Sequence, residues 1–218
     1  HHYQVVEFLR DKKWTVLVSP YYNDKFTDKP REVDIIAEKA FDVKELGTWL
    51  GTLNVKLFIE CKYITKPTVF WFDKKDMERA TKRMAKDTLI SDNNTNIQKL
   101  RYYTEKNVAK LFDSRKDSLD NEVFFKAISQ SINALMDYRD GDSIIQKSDP
   151  DRRVNIIHTI SYPVILCNSF SNLYRVDASL PDGYTRISDN FQMEVNYAYR
   201  NISNSSVYES FILDVVSF

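Results

Sequence analysis

The residues of this chain best suited to chemistry lie between positions 31 and 65. They read Arg31-Glu32-Val33-Asp34-Ile35-Ile36-Ala37-Glu38 and, after a connection, Leu57-Phe58-Ile59-Glu60-Cys61-Lys62-Tyr63. Both runs are rich in β-branched and other apolar residues and are predicted strands. Side chains alternate across a strand, so Glu60 and Lys62 point one way and Cys61 the other. A carboxylate and an ammonium beside Phe58 and Ile59 are costly to bury without partners. Asp34, from the neighbouring strand, adds a second carboxylate. The two carboxylates and the backbone carbonyl of Cys61 make a hard-oxygen pocket suited to Mg²⁺ (or Mn²⁺). Glu32 and Glu38 share the strand face of Asp34, and either is an alternative ligand. The plain structural alternative is an ion pair between Glu60 and Lys62 on a solvated sheet face.

The elements that must position these groups follow from hydrophobic periodicity. Val5, Val6, Phe8 and Leu9 mark an amphipathic helix over 3–12, and 14–19 is β-like. The polar stretch 23–29, ending at Pro30, reads as a loop. Strands are expected over 32–41 and 55–61, with Gly47 and Gly51 punctuating the connection. Phe70, Trp71 and Phe72 form an aromatic run, read first as a core plug and second as a base-stacking surface. Asp73 is placed to cap a helix reaching about 86, and 92–96 is a polar break. Leu100, Tyr103, Val108, Leu111 and Phe112 suggest one further helix, and Val123, Phe124, Ala127, Ile128, Ile132 and Leu135 another. After Pro150 the pattern turns to strands, at 154–160, 164–168, 173–176, 192–199 and 210–218. The expectation is an α/β first part over 3–140 and a β-rich extension, 141–218, that continues the same domain.

At 218 residues, 43% apolar and 28% charged, the composition is that of a globular chain with a sizeable core. The 31 basic and 31 acidic side chains balance, but unevenly: 23 basic and 18 acidic over 1–118, then 8 and 13 over 119–218. A positive face of that kind suits a polyanion, and solvated helices produce the same gradient. No run approaches a membrane span and no signal-peptide pattern opens the sequence, so a soluble, cytoplasmic protein without membrane partners is expected. Cys61 and Cys167 make neither a disulfide framework nor a zinc spacing. His1 and His2 read as the end of a purification tag and are set aside from the chemistry. His158 is the one remaining histidine, and no Gly-rich phosphate loop is present.

The order helix, three strands, then helices, with Asp34 followed by Glu60-x-Lys62 after a hairpin, resembles the PD-(D/E)xK nuclease superfamily. The likeness covers about residues 3–140. Val33 stands where the family name has proline, a departure many members share. The resemblance implies a restriction-endonuclease-like core, a central mixed sheet flanked by helices, with extra C-terminal strands. It implies a metal-dependent endonuclease hydrolysing phosphodiester bonds, in DNA for most relatives of this type. Carried over, Asp34, Glu60 and the Cys61 carbonyl hold the cation, Lys62 assists the attacking water, and Glu7 resembles a helix glutamate that many members add. Gln130 resembles a helix glutamine that touches the site in several branches. The tyrosine that often follows it by four residues is here Ala134, with Tyr138 one turn further on.

Other candidates are weaker. Lys110, with Lys106 at helical spacing, is a candidate for phosphate contact; a solvated helix face is its alternative. The lysines and arginine at 74, 75, 82, 83 and 86 alternate with acids and read first as a salt-laced surface. No helix-turn-helix or zinc finger supplies sequence reading, which points to a homodimer or to a separate targeting or activating partner. A restriction or defence-type effector fits the same residues. The competing class is a catalytically silent nucleic-acid or protein-interaction module on the same fold.

Overall fold

The computed structural model describes residues 2–25, 27–45, 48–80, 107–114, 121–141, 147–148, 154–155, 157–177, 180–200 and 205–218. Two helices are bounded within them, α1 (His2–Asp11) and α2 (Asn121–Gly141). The strands are β1 (Thr15–Val18), β2 (Tyr21–Asp24), β3 (Lys29–Glu32), β4 (Ile35–Glu45), β5 (Thr48–Lys62), β6 (Thr68–Lys74), β7 (Asn107–Ser114), β8 (Lys147–Ser148), β9 (Val154–Asn155), β10 (Ile157–Cys167), β11 (Leu173–Asp177), β12 (Leu180–Arg186), β13 (Phe191–Arg200) and β14 (Ser206–Ser217). The chain is therefore α/β. A mixed ten-stranded sheet in the order β1-β4-β5-β10-β14-β13-β7-β6-β11-β12 organises it.

The two helices cover opposite faces. In α1, Val5, Val6 and Leu9 fall on one stripe and pack on Ile35, Ala37, Ile59 and Val164. In α2, Phe124, Ala127, Ile128, Ile132 and Leu135 pack on Ile36, Phe58, Phe70 and Ile165. Each large apolar side chain so buried contributes about 1.5–3 kcal/mol, which anchors both helices to the strands that carry the candidate site. β4 and β5 are antiparallel, and β5 runs parallel to β10, which follows α2 in the chain. No helix among the described residues is long and apolar enough to cross a membrane.

Several sequence expectations need correction. The stretch 23–29 is not simply a loop, because β2 and β3 form a hairpin there, and Glu32 belongs to β3 rather than to the strand that follows Asp34. The register runs without a slip from Thr15↔Glu38 through Val18↔Ile35 to Tyr21↔Glu32 and Asp24↔Lys29. β1–β2 and β3–β4 are thus one two-stranded ribbon, bent at Ser19, whose φ of 52° is left-handed. Ser19 N–H donates to the Asp34 carbonyl (2.9 Å) and Val33 N–H to that of Pro20 (3.1 Å), so pairing continues through the bend. Beyond it the ribbon becomes an arm lying on α2, where Asn23 N–H donates to Asp137 Oδ2 (3.0 Å).

The apolar spacing around Val108 is not helical: 107–114 is strand β7, held between β13 and β6. Its Val108 and Phe112 suit a pleated surface, and Phe112 packs with Phe70 and Phe124. The remainder of that expected helix lies outside the described residues. Asp73 lies in β6, and Asp76 caps the helix that follows by accepting from Arg79 N–H (3.0 Å); its course past Ala80 lies outside the described residues. Phe70 and Phe72 are core residues rather than an open stacking surface. The strands expected on either side of Pro163 are one strand, β10. Pairing to β14 begins only at Val164, so the missing N–H of Pro163 falls at the margin of that ladder. Of the C-terminal strands, β10 and β14 enter the middle of the sheet, where β10 pairs with β5 and β14 with β10.

Candidate active site

The pairing of β4 with β5 ends at Ile35↔Ile59, which leaves the next N–H of β5, that of Cys61, without a backbone acceptor on β4. Asp34 stands at that point because the ribbon bends away opposite it. Its Oδ2 accepts from Cys61 N–H (2.8 Å), so the carboxylate substitutes for the next rung of the ladder. Asp34 N–H in turn donates to Glu60 Oε1 (3.3 Å), and Lys62 Nζ donates to Glu60 Oε2 (2.8 Å). Strand alternation places Glu60 and Lys62 together, while Cys61 joins the apolar group beneath α1, as expected from the sequence.

Access is graded across the group. Glu60 is fully buried, the Lys62 side chain is 17% exposed and that of Asp34 is 22% exposed. Burial is the largest influence on Glu60 and pushes its carboxyl from 4.5 up to about 7; the Lys62 ammonium opposes this and the Asp34 charge adds to it. Burial also pushes the Cys61 thiol up to about 12, with Asp34 and Glu60 adding to the effect. Two adjoining carboxylates, one of them desolvated, form a donor set that a divalent cation relieves, so the residues fit Mg²⁺ or Mn²⁺ through oxygen ligands.

The other expected site residues are not gathered in the same way. Glu7 is exposed, and five residues on from His2 it lies about 140° around the helix from it, away from the buried stripe. Glu38 sits along β4, where Asn54 Nδ2 donates to it, and Glu32 is exposed on the arm, so neither replaces Asp34. Lys110 lies on β7, four strands across the sheet from β5, roughly 19 Å at ordinary strand spacing. There its Nζ donates to Glu194 Oε2 at 2.6 Å. Glu194 Oε2 also accepts from Asp76 N–H (3.1 Å), so Lys110→Ala, which removes the cation and leaves that bond, is expected to lower stability by about 1–3 kcal/mol. Denaturant titration reads that loss.

Gln130 projects from α2 to the base of the arm, where Nε2 donates to the Glu32 carbonyl (3.0 Å) and Oε1 is buried with no hydrogen-bond partner. It touches the segment that presents Asp34 rather than Asp34 itself. On the nuclease expectation, Gln130→Ala should therefore reduce cleavage only moderately, by about 2–10-fold, the scale of one hydrogen bond. A loss equal to that of a Glu60 variant would place Gln130 on the reacting groups instead. Tyr138 packs its ring on Phe58 (5.8 Å between centroids) and belongs to the core.

One neighbour was not legible as a site residue. His2, set aside on the sequence, opens α1, and its Nε2 lies 3.7 Å from Asp34 Oδ2. His2, Asp34 and Cys61 bring one ligand atom each to within 4.8 Å of one another. The only signal for this in the sequence is a histidine four residues before Val6 on the buried stripe of the helix.

Compared with known proteins, the chain matches no family model, no curated protein and no solved structure. Its class rests on its own features: an α/β protein with two carboxylates and a lysine joined at one strand junction.

Proposed function

We propose that this chain is a metal-dependent endonuclease with a restriction-endonuclease-like core, hydrolysing phosphodiester bonds in DNA. The observation that carries the reading is the hydrogen-bonded group Asp34–Glu60–Lys62 at the β4–β5 junction. The element order supports it. α1, the antiparallel set β1-β4-β5, α2 and then β10 parallel to β5 follow the helix, three strands, helix and strand of that superfamily's core, with the last strand drawn from beyond residue 140.

In this reading Asp34 and Glu60 hold the cation with the Cys61 carbonyl. The cation, when bound, supplies Lewis acidity and a water of lowered pKa. Lys62 orients that water and sets its ammonium against the negative charge that grows on the scissile phosphate. Asp34 keeps its place through Cys61 N–H, and Glu60 through Asp34 N–H, so the backbone itself preorganises both carboxylates. With no reading element evident, targeting falls to a second copy or to a separate partner, as in a restriction or defence-type effector.

The Glu60–Lys62 pair, already satisfied at 2.8 Å, is the observation that favours the other reading, a silent module on the same fold. Cleavage of plasmid and single-stranded DNA with Mg²⁺, Mn²⁺ or EDTA, alongside calorimetric titration of Mn²⁺, separates the two. Metal-dependent nicking together with one-site Mn²⁺ binding is expected. Neither activity nor metal binding under any condition leaves only the silent module.

A further inference from the structure

We propose a second, softer metal site on the α1 side of the same junction, in which His2 Nε2, Asp34 Oδ2 and Cys61 Sγ bind Zn²⁺ or Co²⁺. The three elements bring together three different donors: imidazole from the first residue of α1, carboxylate from the bend before β4, and thiolate from the inner face of β5. Mg²⁺ disfavours sulfur and seldom takes imidazole, whereas zinc takes nitrogen, sulfur and oxygen with three protein ligands and one open position.

The geometry is close to what such an ion needs. Bond lengths of about 2.0–2.3 Å place tetrahedral ligand atoms about 3.3–3.8 Å apart. The three atoms already lie within 4.8 Å of one another, and the His2–Asp34 separation is 3.7 Å. The Cys61 thiol is fixed by packing, while the His2 side chain is 53% exposed and free to close the remaining distance. Asp34 Oδ2 keeps its bond from Cys61 N–H, since a carboxylate oxygen has a further lone pair for a metal.

Asp34 belongs to both sites. A zinc ion on the α1 side engages the carboxylate that the cation beside Glu60 requires, so zinc acts as an inhibitor of the Mg²⁺-dependent reaction. This consequence rests on the nuclease reading; the zinc site itself does not.

Absorption during a Co²⁺ titration of the whole chain tests the site without reference to activity. One equivalent should give a thiolate-to-cobalt charge-transfer band that Cys61→Ser removes. His2→Ala, an exposed change that suits a helix, should weaken the Co²⁺ affinity at least tenfold. Co²⁺ uptake without a thiolate band, as adjacent histidines chelating alone would give, overturns the proposal, and so does an unchanged affinity in His2→Ala. In the cleavage assay at fixed Mg²⁺, His2→Ala should need at least tenfold more Zn²⁺ for half inhibition, and equal inhibition of both proteins overturns the competition. A wild type that neither cleaves nor loses Mn²⁺ binding on Glu60→Gln substitution, but shows the cobalt band, removes the nuclease reading and leaves the zinc site standing.

Discussion

Lys62→Ala is expected to abolish Mg²⁺-dependent cleavage, with a loss of about 10²–10⁴-fold from removing a positioned water-orienting and charge-stabilising group. The fold should survive. Lys62 is at the rim of the sheet, and its loss leaves Glu60 buried without its ammonium partner. A stranded buried charge costs about 3–5 kcal/mol if it stays charged. Here the carboxyl, already near 7 with Lys62 in place, rises further and takes up a proton instead. Circular dichroism should therefore show a folded variant at pH 7, with Mn²⁺ affinity lowered because the ligand is protonated. Raising the pH to about 9 should recover metal binding, by ionising Glu60, without recovering cleavage. That split is the signature of a lysine acting on the reacting groups. Metal-dependent activity near the wild-type rate in Lys62→Ala would remove the assignment.

Glu60→Gln should have an effect of similar size on cleavage and should also flatten the pH dependence of stability. Glutamine preserves shape but keeps only one of the two acceptor oxygens that Asp34 N–H and Lys62 Nζ use, and it cannot carry the charge that holds a divalent cation. Calorimetry should show Mn²⁺ binding lost, and Glu60→Ala should do the same while leaving a small cavity. The stability argument is one of linkage. The carboxyl of Glu60 titrates near 4.5 in the unfolded chain and near 7 in the folded one, because burial disfavours its charge. Between those values the folded chain binds the additional proton, so the contribution of Glu60 to stability falls as pH rises from about 4.5 through about 7 and then levels. In EDTA, thermal unfolding across pH 4.5 to 8 should show this decline in the wild type and a flatter profile in Glu60→Gln. Parallel profiles would mean that Glu60 is charged and compensated throughout, as in a purely structural pair.

Both predictions start from residues that were legible as a group, because their relation is local. Glu60 and Lys62 are two apart, and a strand's pleat puts such residues on one face wherever the strand is placed. The same holds for the stripes Val5–Val6–Leu9 and Phe124–Ile128–Ile132–Leu135, whose helical spacing is a property of the segment itself. Residues 107–114 show the converse. Their apolar spacing fits a helix as well as a strand, and the vacant place between β13 and β6 decides for the strand. Lys110 changes meaning with it, from a candidate for phosphate contact on a helix to a partner of Glu194.

By itself, then, the sequence determined that Glu60 and Lys62 lie side by side, that Cys61 faces the other way, that the apolar residues from Val123 to Leu135 lie on a helix, and that the chemistry on offer is that of two carboxylates and a lysine. Only the tertiary structure decided which acid joins them. Asp34 rather than Glu32 or Glu38 meets Glu60 because the ribbon bends at Ser19, directly across from it, and frees its carboxylate to bond Cys61 N–H. It also decided that β10, 95 or more residues after Glu60 in the chain, runs beside β5, that Glu7 turns away, and that His2 turns in. The physical reason is one of range. Side-chain alternation and helical periodicity are set within a few residues of backbone, whereas register, strand order and the bend of a ribbon are set by pairing between segments far apart, which no local spacing encodes.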